Sequence, residues 1–278
     1  MTRPLIVAQI SDLHIKVPGA LAYGKVDTAA ALAACVTELN RLSPRPDLVV
    51  ISGDLADTPA PEEYVHLKRL LSPLQVPFAV IPGNHDDRAM LRAAFPDFCY
   101  AQAEGPLNST RAVGGLDIVL IDSTVPGSNY GTIDHTTLTW IDSILAASPA
   151  RPALLFLHHP PFVTGIAHMD VQNLHNAGAL ADIVRDRARV RLVGAGHVHR
   201  PILTQFAGIV ATICPAPNHA VALDLDGHLP PSLQVEPPAF HLHVWFQGGE
   251  FGRVVTHWVP IGTFAGPYPF FGADGKIL

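Results

Sequence analysis

Residues 191–201 read RLVGAGHVHRP. An apolar run closes on Gly194 and Gly196 and then offers His197 and His199, one valine apart. A pair of surface histidines in a loop is the ordinary reading of such a stretch. The alternative is that a buried strand ends here and carries two imidazoles to a shared target. That alternative requires other strands to end on polar residues at the same edge of the same sheet.

The upstream sequence supplies such strands. LIVAQI (5–10), DLVVIS (47–52), PFAVIP (77–82), LDIVLID (116–122), ALLFLH (153–158) and VRLVGA (190–195) are short, β-branched and apolar throughout, as strands covered on both faces are. Helical spacing falls between them. Residues 27–42 start at Asp27 and Thr28 and carry Leu32, Val36 and Leu39. Residues 61–71 open on Pro61, 134–147 on Asp134 as an N-cap, and 175–187 carry Leu180, Ile183 and Val184. Strand–helix alternation of this kind predicts an α/β fold with a largely parallel, covered sheet.

The pattern changes after Pro201. ILTQFAGIVATI, HAVALDL, FHLHVWFQ and RVVTHWVPI read as strands, the last two joined as a hairpin across GGEFG. Alternation places Phe240, Leu242, Val244 and Phe246 on one face. It leaves His241 and His243 on the other as solvated strand residues. The tail GPYPFFGADGKIL is aromatic and fits either packing on the core or contact with a second copy of the chain, so a homo-oligomer stays open.

With 48% hydrophobic and 15% charged residues in 278, the chain can bury a large core. A net charge of -6 argues against stable nucleic-acid binding, which needs basic faces. The three cysteines, Cys35, Cys99 and Cys214, form no C-x-x-C pair. A cysteine zinc site or disulfide framework is not expected, and a reducing compartment fits. The N-terminal apolar run is too short for a signal peptide. No apolar run reaches the about 18–20 residues of a membrane span. A cytoplasmic protein without a membrane partner is the expectation.

The unusual polar residues fall at the C-terminal ends of the apolar runs, where open α/β sheets bind ligands. SDLH brings Asp12 and His14, SGDLAD brings Asp54, PGNHDD brings Asn84 and His85, LHHPP brings His158 and His159, and GAGHVH brings His197 and His199. Singly each has a bland explanation: Asp57 and Asp87, for instance, read as helix caps or supporting groups. Together, two carboxylates, an amide and at least four imidazoles on one edge are costly without a cation. Imidazole with carboxylate suits Fe, Mn, Zn or Co better than Ca or Mg. Six or more donors exceed one ion with an open position, so two ions are expected, about 3.5–4 Å apart across a bridging carboxylate.

The set D-x-H (Asp12–His14), G-D (Gly53–Asp54), G-N-H-D (Gly83–Asp86), His158 and G-H-x-H (Gly196–His199) resembles the calcineurin-like metallophosphoesterase superfamily. GNHDDR, HHPP followed by TGIAHMD, and GPYPF are similar to its bacterial cyclic-nucleotide and glycerophosphodiester phosphodiesterase branch. The resemblance implies a four-layer α/β/β/α sandwich, one domain over 1–278, with the motifs in 1–201 and second-sheet strands and tail in 202–278. It implies one metal on Asp12, His14 and His199, a second on Asn84, His158 and His197, and Asp54 bridging them. His85 matches the family's non-ligand histidine, which contacts phosphate and protonates the leaving oxygen.

The implied reaction is hydrolysis of a small-molecule phosphodiester by in-line attack of metal-bound hydroxide. Two divalent cations, two aspartates and one hydroxide leave a site of about +1, which matches a diester monoanion. Arg88 and Arg200 read as surface arginines, so the extra positive charge a monoester dianion needs is missing. The alternatives on the same fold are a phosphomonoesterase, a nuclease and a non-catalytic scaffold.

Overall fold

The computed structural model describes residues 3–277. Its first third is a strand–helix winding: β1 (Leu5–Ile10), α1 (Thr28–Arg41), β2 (Leu48–Ser52), α2 (Pro61–Leu71), β3 (Phe78–Ile81) and α3 (Arg88–Ala94). Asp27 caps α1 by accepting from the Ala30 amide, and Pro61 occupies the first turn of α2. The strands β1, β2 and β3 pair in parallel.

A second winding begins with the antiparallel pair β4 (Ser109–Val113) and β5 (Leu116–Ile121). It continues through α4 (His135–Ala147), β6 (Ala153–Leu157), α5 (Ala167–Asp170), α6 (Ala177–Val184) and β7 (Val190–Ala195). Asp134 caps α4 through the Thr137 amide. The hairpin β8 (Ile202–Phe206) and β9 (Ile209–Ile213) extends this sheet, giving the order β4-β5-β6-β7-β9-β8. A two-stranded ribbon follows, β10 (Ala220–Val221) with β11 (Leu233–Gln234). The long hairpin β12 (Ala239–Phe246) and β13 (Arg253–Pro260) then closes the first sheet as β13-β12-β1-β2-β3.

The two sheets stack face to face. Val7, Val50, Ile81, Ile118, Leu120 and Phe156 fill the space between them and are fully buried. Helices α1, α2 and α3 cover the outer face of one sheet, and α4 and α6 cover the other. The result is the four-layer α/β/β/α sandwich. Apolar runs such as LVVI are unbroken because each residue meets a helix on one side or a sheet on the other.

Two expectations change. Residues 202–278 do not build the second sheet: apart from the small β10–β11 ribbon, β8 and β9 extend the β5–β7 sheet, while β12 and β13 extend the β1–β3 sheet. The early parallel strands themselves divide between the two sheets. β12 sits between β1 and β13, which pair with its two edges, and both of its faces are covered as well. Phe240 and Leu242 meet the helix layer, and the opposite face meets the other sheet. His241 and His243 are therefore buried, at 5% and 1% exposure. His243 satisfies both ring nitrogens, 3.1 Å from Gln9 Oε1 and 2.8 Å from Thr256 Oγ1.

The aromatic tail stays largely in solvent, with Phe264, Tyr268, Phe270 and Phe271 all exposed. Among the described residues, no helix is long and apolar enough to cross a membrane.

Candidate metal centre

Five of the expected site residues adopt left-handed backbone conformations at strand ends. These are Asp12 (φ 57), His14 (φ 46), Asp54 (φ 50), His197 (φ 73) and His199 (φ 57). Non-glycine residues pay for such φ values, and they persist where the surroundings over-determine them, as at functional sites. The glycines of the motif do something else. Gly194 and Gly196 are not left-handed. A Cβ on Gly194 would lie 2.7 Å from Phe156, and one on Gly196 would lie 2.1 Å from Ser11 Oγ. They permit close approach of the two sheets, while the histidines themselves make the turn.

The eight expected residues converge on one end of the sandwich. His14 Nε2 lies 3.2 Å from His199 Nε2 and 3.5 Å from Asp54 Oδ2, and His199 Nε2 lies 3.4 Å from Asp12 Oδ1. On the other side, His158 Nε2 lies 3.4 Å from Asp54 Oδ1 and 3.1 Å from Asn84 Oδ1. The His197 ring packs 5.1 Å from that of His158, centroid to centroid, and its main-chain N–H donates to Asp12 Oδ1 at 2.9 Å. His85 edges the cleft, 4.6 Å from the His14 ring centroid. The two carboxylate oxygens of Asp54 thus face different donor sets.

Hydrogen bonds fix the rings from behind. His158 Nδ1 donates to the Ser52 carbonyl at 2.9 Å, His85 Nδ1 to the Asp57 carbonyl at 2.7 Å, and His14 Nδ1 meets the Asp57 carboxylate at 3.2 Å. Asp86, last residue of the GNHD motif, accepts from the amides of Gly83, Leu55 and Ala56 and from the Tyr64 hydroxyl, tying the Asn84–His85 turn to the loop after Asp54. Asp87 caps α3 through the Met90 amide.

The electrostatics describe a cluster that needs positive charge. Burial drives the Asp12 carboxyl up to about 6; His158 pulls against the rise and Asp54 adds to it. Burial acts on Asp54 too, but His158 and His85 hold it well below the usual carboxylate range. Burial disfavours charge on His158, yet Asp54 raises it to about 9. Burial keeps His197 and His199 well below the ordinary histidine value, so both stay neutral with lone pairs to give. His197 Nε2 and His199 Nδ1 are buried without a hydrogen-bond partner. Neutral imidazoles, paired buried carboxylates and an amide oxygen suit a borderline transition-metal cation, and the donors fit such ions.

The arginines near the motifs are partly buried and paired rather than free on the surface. Arg88 forks onto Asp122 at 2.8 and 3.1 Å and donates to the Thr124 carbonyl, while Arg200 pairs with Glu236 at 2.7 Å. Neither lines the cleft, which has a volume of about 300 Å³. Tyr23, Asn129, His168 and Gln172 do line it, from the segments that follow β1, β5 and β6.

Two further histidines stand beside the site, one unmarked in the sequence and one noted at its strand end but given no role. His219 lines the cleft 4.6 Å from the His199 ring, and no motif marks it. His159 lies beside His197 with its Nδ1 2.8 Å from Ser123 Oγ. Its position next to His158 was the available signal.

Comparison with known proteins identifies the family. The family model described as calcineurin-like phosphoesterase matches residues 5–201. A probable glycerophosphodiester phosphodiesterase of Arcobacter nitrofigilis is 40% identical over 99% of this chain and 100% of its own. A probable cyclic nucleotide phosphodiesterase of Rhodopseudomonas palustris is 34% identical over 89% of each. In fold, the chain is similar to a dimetal phosphatase from Danio rerio, with TM-score 0.64 and 15% identity over 94% of this chain and 100% of that one.

Proposed function

Because the chain belongs to the calcineurin-like phosphoesterase family, we propose that it is a binuclear-metal phosphodiesterase acting on small diesters such as glycerophosphodiesters or cyclic nucleotides. One cation would be held by Asp12, His14 and His199 and a second by Asn84, His158 and His197, with Asp54 between the two donor sets. The observation that carries this reading is the division of the Asp54 oxygens, Oδ2 toward His14 and Oδ1 toward His158. Cations bound there supply Lewis-acid activation of water and neutralise phosphoryl charge.

The protein's own residues do the rest. His85, with Nδ1 committed to the Asp57 carbonyl, keeps Nε2 free to hold a proton for the departing alkoxide. Asn84 positions itself against His158. The cleft accommodates a small diester, and polar Asn129, Gln172 and Ser232 suit an alcohol rich in hydroxyls. The absence of an arginine among the lining residues favours a diester monoanion over a monoester dianion. The names of the relatives support the same substrate class. Iron or manganese suits the donor set. The free, buried Cys35 and Cys214 support a reducing cytoplasm, and the exposed aromatic tail supports self-association.

The test is a panel on manganese-reconstituted protein: a glycerophosphodiester, cyclic AMP, bis(p-nitrophenyl) phosphate and matched monoesters. Diesters are expected to turn over faster than monoesters. A protein that holds two metal ions and hydrolyses none of them overturns the reading.

A further inference from the structure

Asp57 lies three residues beyond Asp54 and does not do what an aspartate after a strand ordinarily does. Helix α2 starts at Pro61, and its N-cap is Ala60, which makes no side-chain cap. The Asp57 carboxylate instead divides between two partners. Oδ1 lies 3.2 Å from His14 Nδ1, and Oδ2 lies 2.6 Å from Lys16 Nζ. Its carbonyl oxygen accepts from His85 Nδ1 at 2.7 Å. Its amide donates to the Ile15 carbonyl at 3.1 Å, which pins the residue beside the D-x-H turn. One residue thus engages the back nitrogen of two different site histidines, one through its side chain and one through its main chain.

We propose that Asp57 is the positioning residue that sets His14 and His85 together. Its carboxylate accepts a charge-assisted hydrogen bond from the His14 Nδ1–H, which leaves the Nε2 lone pair aimed at Asp54 and His199. Its carbonyl fixes the same tautomer in His85 and leaves Nε2 to the cleft. Lys16 holds the carboxylate in place from the far side. This inference rests on the reading of His14 as a metal ligand. A carboxylate behind a ligating imidazole raises ligand basicity and fixes the ring, and loss of such a partner costs about 10–100-fold in metal affinity. The bland alternative is a Lys16–Asp57 ion pair that only closes the loop.

The experiment uses the full-length, zinc-reconstituted protein, with stepwise zinc affinities from chelator competition and imidazole resonances from ¹⁵N–¹H NMR. Wild type is expected to hold two zinc ions and to show the His14 Nδ1 proton far downfield. Asp57→Asn is expected to weaken one zinc affinity by about 10–100-fold, leave the other nearly unchanged and move the His14 Nδ1 proton upfield. The His85 resonance stays in place, because the carbonyl remains. Lys16→Met, which breaks the ion pair but spares the His14 contact, is expected to keep both affinities within about threefold. Two zinc ions in wild type with unchanged affinities in Asp57→Asn overturn the proposal alone. So do equal losses in Asp57→Asn and Lys16→Met. If Asp57→Asn does not fold, a wild-type His14 proton without the downfield shift overturns it. Fewer than two zinc ions in wild type overturns the metal-site reading and this proposal with it.

Discussion

Asp54 and His158 stand 3.4 Å apart with side chains 3% and 0% exposed, and each holds the other's charged form: the carboxyl lies well below its usual range and the imidazole rises to about 9. A buried pair of this kind is stable only while both members remain. Asp54 also faces His14 through its second oxygen, so its loss removes a partner from both halves of the centre. Asn84 faces only the His158 half.

This asymmetry makes a prediction about stoichiometry. Asp54→Asn is expected to lose both metals and to lower diesterase kcat by more than about 100-fold. Asn84→Ala is expected to lose one metal preferentially. Elemental analysis of the two purified variants is the check, and equal occupancy of both sites in Asn84→Ala would contradict the assignment.

His85 makes a kinetic prediction. If its Nε2 carries the proton for the leaving group, His85→Gln should reduce kcat by about 10²–10⁴-fold for diesters of poor leaving alcohols. For bis(p-nitrophenyl) phosphate, whose nitrophenolate leaves without help, the reduction should be much smaller. Steady-state rates on the two substrate types decide it: parallel losses would mean that His85 only orients phosphate.

The centre was legible because its residues are chemically unusual for their positions. Aspartates, an asparagine and histidines repeat at strand ends whose apolar runs are themselves unmistakable, and Asp12 through His199 fall together as that pattern requires. What escaped was set by contacts distant in sequence. His243 reads as solvated from the alternation of FHLHVWF, because nothing local says that β12 inserts between β1 and β13 under a second sheet. The packing role of Gly196 is invisible locally, because the chain between strands does not announce that Ser11 will stand against it. His219 joins the cleft from a loop whose sequence, PNHA, carries no signal of its own.

Gly196 gives a stability prediction that separates close approach from backbone freedom. A Cβ there meets Ser11 Oγ at 2.1 Å and both Asp12 Oδ2 and the Ser52 carbonyl at 3.0 Å. Gly196→Ala should destabilise by about 1–3 kcal/mol in urea unfolding. Ser11→Gly added to it should recover part of the loss by removing the nearest atom. Gly178, inside α6 with open space around it, is the control: Gly178→Ala should stabilise by up to about 1 kcal/mol. Equal behaviour of the two alanine variants would refute the close-approach role.

The buried histidines of β12 are expected to steepen the acid side of the stability curve. Burial lowers His241 from its ordinary 6.5 to about 4, and burial together with His241 holds His243 well below 6.5. Both are neutral in the folded chain at pH 7, whereas the unfolded chain takes up protons as the pH falls below about 6.5. The unfolded state therefore binds more protons between about 6.5 and 4. Stability is complete above that window and is lost as pH falls through it. For His241 alone the gap corresponds to on the order of 3 kcal/mol. His241 Nδ1 has no hydrogen-bond partner, so His241→Leu removes a titrating group without orphaning another. Urea unfolding in chelator at pH 7 and pH 4.5 should show a smaller acid loss in His241→Leu than in wild type, by about 2 kcal/mol. The same loss in both would place the acid sensitivity in the carboxylates and histidines of the candidate metal centre instead of in β12.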